Sequence, residues 1–68
     1  MEIIQLRDDY IKLGQALKAA GLVENGGEAK EVITSGRVRV NGEVCTQRGK
    51  KLHRDDVILF GEEQVQIK

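Results

Sequence analysis

Six cationic side chains, Arg37, Arg39, Arg48, Lys50, Lys51 and Arg54, fall between Val32 and Arg54, where Glu43 is the single acid. Guanidinium and ammonium groups with few carboxylate partners suit a polyanion, because each phosphate offers a full charge and several acceptor oxygens. Lys30, in the segment just before, and Lys12, further upstream, can extend the set. The chain as a whole is neutral, with eleven basic and eleven acidic residues among 68. Its acids collect elsewhere, at Glu2, Asp8 and Asp9, at Glu24, Glu28 and Glu31, and at Asp55, Asp56, Glu62 and Glu63. The molecule is therefore expected to be electrically lopsided.

Other chemistry is scarce. The one cysteine, Cys45, cannot form an internal disulfide, and with the one histidine, His53, it cannot build a structural Cys/His metal site. These two lie eight residues apart, Cys45 on an apolar strand and His53 in a charged loop, so no nucleophile has a base beside it. The chain is thus expected not to be an enzyme and to need no cofactor. "ENGGEAK" lacks the spacing of a nucleotide-binding loop. The backbone amides of Gly26 and Gly27 could still hold a phosphate oxygen at the start of a helix, the other reading being a flexible cap.

These groups need a frame. A chain of 68 residues is one small domain, 1–68, that buries only ~60% of the surface its unfolded form exposes. No apolar run approaches the ~20 residues of a membrane span, and "MEIIQLRDDY" is too short and too acidic for a secretory signal. A cytoplasmic, monomeric protein is expected.

"EIIQL" reads as an edge strand, and the polar "RDDY" after it as a helix start. From Lys12, the spacing of Leu13, Ala16, Leu17 and Ala20 predicts a helix ended by Gly21. Asn25, followed three residues later by Glu28, predicts the cap of a second helix, with Ala29, Val32 and Ile33 inward and Gly36 at its end. From Arg37 the period changes to two. Val38 and Val40 alternate with Arg37 and Arg39, Asn41-Gly42 marks a tight hairpin, and "EVCT" returns, with Val38, Val40 and Cys45 as the buried positions. "QRGKK" is expected to be a loop. "DVILF", the turn "GEE" and "QVQIK" predict a closing hairpin. The order of elements predicts an α+β domain, two short helices packed on a small antiparallel sheet.

Aromatic residues number two, Tyr10 and Phe60. Phe60 belongs to the expected core, and Tyr10 has no evident partner. Recognition by base stacking is accordingly disfavoured, and structured RNA read through its backbone is the better fit.

"KLGQALKAAGL", "GGEAKEVITSGRVRVNGEV" and "KLHRDDVI" together resemble the S-four RNA-binding domain, also called the alpha-L motif, over about residues 10–60. The most specific feature is Gly-x-Val-x-Val-Asn-Gly at Gly36, Val38, Val40, Asn41 and Gly42. The resemblance implies RNA, of rRNA or tRNA type, bound along the second helix and first hairpin. It carries basic contact positions onto Lys12, Lys30 and Arg39. Where many members have Ser-Arg at the start of the second helix, this chain has Gly26-Gly27. Most relatives carry the domain as an appendage to an enzyme, whereas this chain resembles the small free-standing bacterial members.

The expected RNA-binding set is Lys12, Lys30, Arg37, Arg39, Asn41, Arg48, Lys50 and Lys51, with Asn41 chiefly serving its turn and Gly26 and Gly27 as backbone contacts. Structured RNA is the expected partner, with ribosomal or RNA-processing proteins nearby. The rival reading uses the same basic face to dock an acidic partner protein.

Overall fold

The computed structural model describes residues 2–68. Its elements run β1 (Glu2–Ile4), β2 (Ile11–Lys12), α1 (Leu13–Ala19), α2 (Gly26–Thr34), β3 (Val38–Val40), β4 (Glu43–Val44), β5 (Lys51–Leu52), β6 (Val57–Phe60) and β7 (Glu63–Ile67). Five strands form one sheet in the order β1-β7-β6-β3-β4, and β2 pairs with β5 in a separate two-stranded ladder. The domain is α+β, as expected. Among the described residues, no helix is long and apolar enough to cross a membrane.

The start of α2 and the ends of both helices are as their sequences dictate, whereas "RDDY" does not start a helix: it leads into β2, and α1 begins only at Leu13. Asn25 caps α2 by accepting the Glu28 amide at 2.8 Å on Oδ1. The reciprocal half of the box is displaced by one residue, because Glu28 Oε1 accepts from the Glu24 amide at 2.7 Å and not from that of Asn25. At its other end α2 closes with the amides of Gly36 and Arg37 donating back to the carbonyls of Ile33 and Val32. This pair of bonds requires a left-handed residue after the cap, and Gly36 has φ 81°. The end of α1 repeats it, through Gly21 to Lys18 and Leu22 to Leu17. Replacing Asn25 with Ala leaves the Glu28 amide without its acceptor, with an expected loss of about 1 kcal/mol. That loss appears as a fall of about 4–8 °C in the thermal midpoint, read by circular dichroism.

The β3–β4 hairpin turns on Asn41 (φ 52°) and Gly42 (φ 86°), the left-handed pair that a two-residue loop matched to strand twist needs. It leaves Val40 opposite Glu43 and Arg39 opposite Val44. The closing hairpin is tighter than "GEE" suggests. Phe60 pairs with Glu63, so Gly61 and Glu62 alone form the turn. Lys51, expected in a loop, lies on β5, opposite Lys12 on β2.

The core joins both layers: Leu13, Ala16 and Leu17 from α1, Ala29, Val32 and Ile33 from α2, and Val38, Ile58, Val65 and Ile67 from the sheet, with Leu52 from β5. Two expectations are corrected here. The sheet is not wholly antiparallel, because β1 runs parallel to β7, with Glu2 opposite Val65 and Ile4 opposite Ile67. Cys45 is only half-buried, because β4 ends at Val44 on the sheet edge. Phe60 is partly buried and packs against the core.

Candidate functional site

A seven-residue helix would ordinarily present its first amides to solvent. In α1 they are covered by the segment that follows β4. The Leu13 amide donates to the Lys50 carbonyl at 2.9 Å and the Gly14 amide to the Arg48 carbonyl at 3.1 Å. This brings the Arg48 side chain across the helix. Gly14 is buried for that reason, since a Cβ built there would stand 2.8 Å from Arg48 Cγ. A glycine inside a helix costs about 1 kcal/mol relative to alanine, and here it is the condition for the close approach.

The consequence is a groove of about 260 Å³ between α1, the start of α2 and the 48–49 turn. Its charged lining residues are Lys12, Lys18 and Arg48, and no acid lines it. Its other lining residues include Gly14, Gly26, Ala29 and Gly49, whose lack of bulk keeps the space open between the long cationic stems. Gly26 opens α2, so a groove with three cations also borders the positive end of a nine-residue helix. Gly27 is exposed in the same first turn.

Beside β4 and β5 lies a second depression, of about 670 Å³, bordered by Lys50, Lys51, Asn41, His53 and the acids Glu43 and Asp56. Two of its polar side chains, Asn41 and Asp56, are engaged within the protein. Asn41 Nδ2 donates to Asp56 Oδ1 at 3.0 Å, and Asn41 Oδ1 accepts the Val57 amide at 2.9 Å. Asp56 Oδ2 in turn accepts the His53 amide at 2.7 Å. Burial opposes ionisation of Asp56, but the His53 amide, the Asn41 carboxamide and the positive charges of His53 and Lys50 outweigh it and hold the carboxyl below its ordinary value. Asn41 thus joins the hairpin to the start of β6. The Lys51 ammonium lies 4.8 Å from the centroid of the Tyr10 ring.

Lys12, Arg48 and Gly26 therefore meet in one groove, and Lys50, Lys51 and Asn41 border the next. The remaining expected residues stand apart from both. Lys30 is exposed on α2, one residue past Ala29 of the groove, and Arg37 is exposed just before β3. Arg39 sits between the buried Val38 and Val40, so it projects from the sheet face away from the helices. Its Nη1 donates to the Gly42 carbonyl at 3.4 Å.

Lys18 escaped the sequence reading. A signal was present, because Gly14, Gln15 and Lys18 share a helical stripe through their spacing of three and four, and a small residue in that stripe marks a surface approached by another segment.

Residues 4–68 match the sequence model of a family described as S4 domain. A Bacillus subtilis protein, provisionally named ribosome maturation protein RlbA, is 40% identical over 65 residues, covering 91% of this chain and 92% of its own. An Escherichia coli protein, YbcJ, whose provisional name is that of an RNA-binding protein, is 33% identical over 58 residues, covering 85% of this chain and 83% of its own.

Proposed function

The chain belongs to the S4 domain family, and on that premise we propose that it is a non-catalytic module that binds structured RNA through phosphate contacts. The observation that carries this reading is the meeting of Lys12, Lys18 and Arg48 with the first turn of α2 around a groove lined by no acid. Lys12 and Lys18 stand at the two ends of α1 and Arg48 comes from a turn far downstream, so the fold itself concentrates charge that the neutral composition conceals. Successive phosphates of a strand lying along the groove meet two ammonium groups, a guanidinium able to form paired hydrogen bonds, and the helix terminus. Lys50 and Lys51 extend the contact along the neighbouring depression, while Asn41 acts by holding the hairpin in place. Lys30, Arg37 and Arg39 form an outer set, reached by an RNA that curves past α2 or over the sheet. The name of one relative refers to ribosome maturation and that of the other to RNA binding, which supports ribosomal RNA as the first ligand to try.

The test is a titration of the purified protein against bacterial ribosomal RNA across a salt series. With ~4 phosphates engaged, log K is expected to fall with log salt at a slope of roughly −3 to −4. Absence of binding at low salt would overturn the reading and favour an acidic protein as the partner of the basic face.

A further inference from the structure

Tyr10, the one tyrosine of the chain, is 38% exposed. Its ring is held in place: Lys51 lies over it at 4.8 Å, and the His53 ring stands 6.4 Å away, tilted by 53°. The same ring borders a depression of about 730 Å³ that adjoins the groove at Lys12 and Gln15 and is also lined by Arg7, Asp8, Asp9 and Arg54. Aromatic surface, two carboxylates and three cations thus share one open space. The cations suit a phosphate, but carboxylates repel one and accept hydrogen bonds only from donors. A ligand that satisfies all three classes has a flat face, a donor-bearing edge and a phosphate.

We propose that this depression takes one unpaired nucleotide of a bound RNA, with its base stacked on Tyr10, its donor edge on Asp8 or Asp9, and its phosphate toward Lys12 and Arg54. Guanine fits the carboxylate best, because its N1–H and N2–H donors lie side by side and match two acceptor oxygens. The Lys51 ammonium packs against the ring, and Tyr10 still keeps 38% of its surface exposed for a base. The site adds base discrimination to a module whose groove reads only backbone, and it rests on the RNA-binding reading above. It also adds stacking on one base, a mode of recognition that the scarcity of aromatic residues disfavours.

The protein has no tryptophan and Tyr10 is its one tyrosine, so intrinsic fluorescence reports on this ring alone. The probes are an RNA hairpin whose loop displays a single unpaired guanosine, the same hairpin with uridine there, and a blunt duplex of equal length. The guanosine hairpin is expected to quench the fluorescence and to bind most tightly. Tyr10→Ala should weaken its binding about tenfold or more while Tyr10→Phe retains it, in line with the usual contribution of one stacked base. Asp8→Asn with Asp9→Asn should remove the preference for guanosine over uridine. If all three RNAs bind alike and Tyr10→Ala changes nothing, the nucleotide site is overturned and backbone binding stands. If quenching occurs but Tyr10→Ala binds as well as the parent, the ring is merely near the RNA and the proposal also fails. If none of the RNAs binds at low salt, the RNA-binding reading falls, and this inference with it.

Discussion

Neutralising Lys12, Lys18 and Arg48 together is expected to lower RNA affinity about 100-fold near 0.1 M salt and to flatten the salt dependence by about three units of log–log slope. The slope follows from counterion release, in which each phosphate contact contributes close to one unit, and the affinity from about 1 kcal/mol per contact. The choice of substitution matters. Arg48 packs its stem across Gly14, so Arg48→Met removes the charge while keeping an unbranched apolar chain over the helix. Lys12→Gln and Lys18→Gln act on exposed side chains. An unchanged circular dichroism spectrum and thermal midpoint would show that the loss is one of binding. The matching triple variant at Lys30, Arg37 and Arg39 is expected to lose less, because its three positions are spread over α2 and the far face of the sheet and do not converge. If both triples leave binding at the parent level, the basic residues do not form the interface.

The largest expected effect on stability is that of Ile58→Ala. Ile58 is fully buried at the centre of the sheet, between Val40 of β3 and Val65 of β7. Truncation removes three carbons from a site whose neighbours are held by ladders on both sides, so little collapse can fill the gap, and the cost is about 3–4 kcal/mol. A domain of this length has a total stability of about 3–10 kcal/mol. The variant should therefore be partly unfolded at 25 °C or melt far below the parent in urea. Leu59, the next residue, makes the control: it is 37% exposed on the outer face, and Leu59→Ala should cost far less. Similar losses at the two positions would show that the face assignment of β6 is wrong.

Those two neighbours also show what the sequence makes legible. Alternation and helical spacing report which side of an element is apolar, because that information lies within one window of chain, and so do the caps at Asn25, Gly21 and Gly36 and the Asn41-Gly42 turn. The groove is different in kind. It exists because the 48–50 segment covers the first amides of α1, and nothing within either window announces the other. Lys18 was missed on that account, and Arg48 was included only for its charge. The β2–β5 ladder is two residues long on each side, too short for any period to show, so Lys51 looked like part of a loop and Tyr10 lacked a partner. The parallel pairing of β1 was hidden for the same reason on a larger scale, since a three-residue strand says nothing about which edge it will find.

That pairing bears on how the molecule comes into being. β1 is translated before β7, yet its ladder partners are Val65, Gln66 and Ile67, and the junction is completed by the Leu6 amide donating to the Lys68 carbonyl and the Lys68 amide to the Ile4 carbonyl. A nascent chain halted at Phe60 would hold both helices and the first hairpin, but Ile58 would lack its neighbour on one side and β1 would have nothing to pair with. β7 acts as a clasp that draws β1 into place. Contacts of such wide separation slow folding, and here they are gathered on a single five-residue strand.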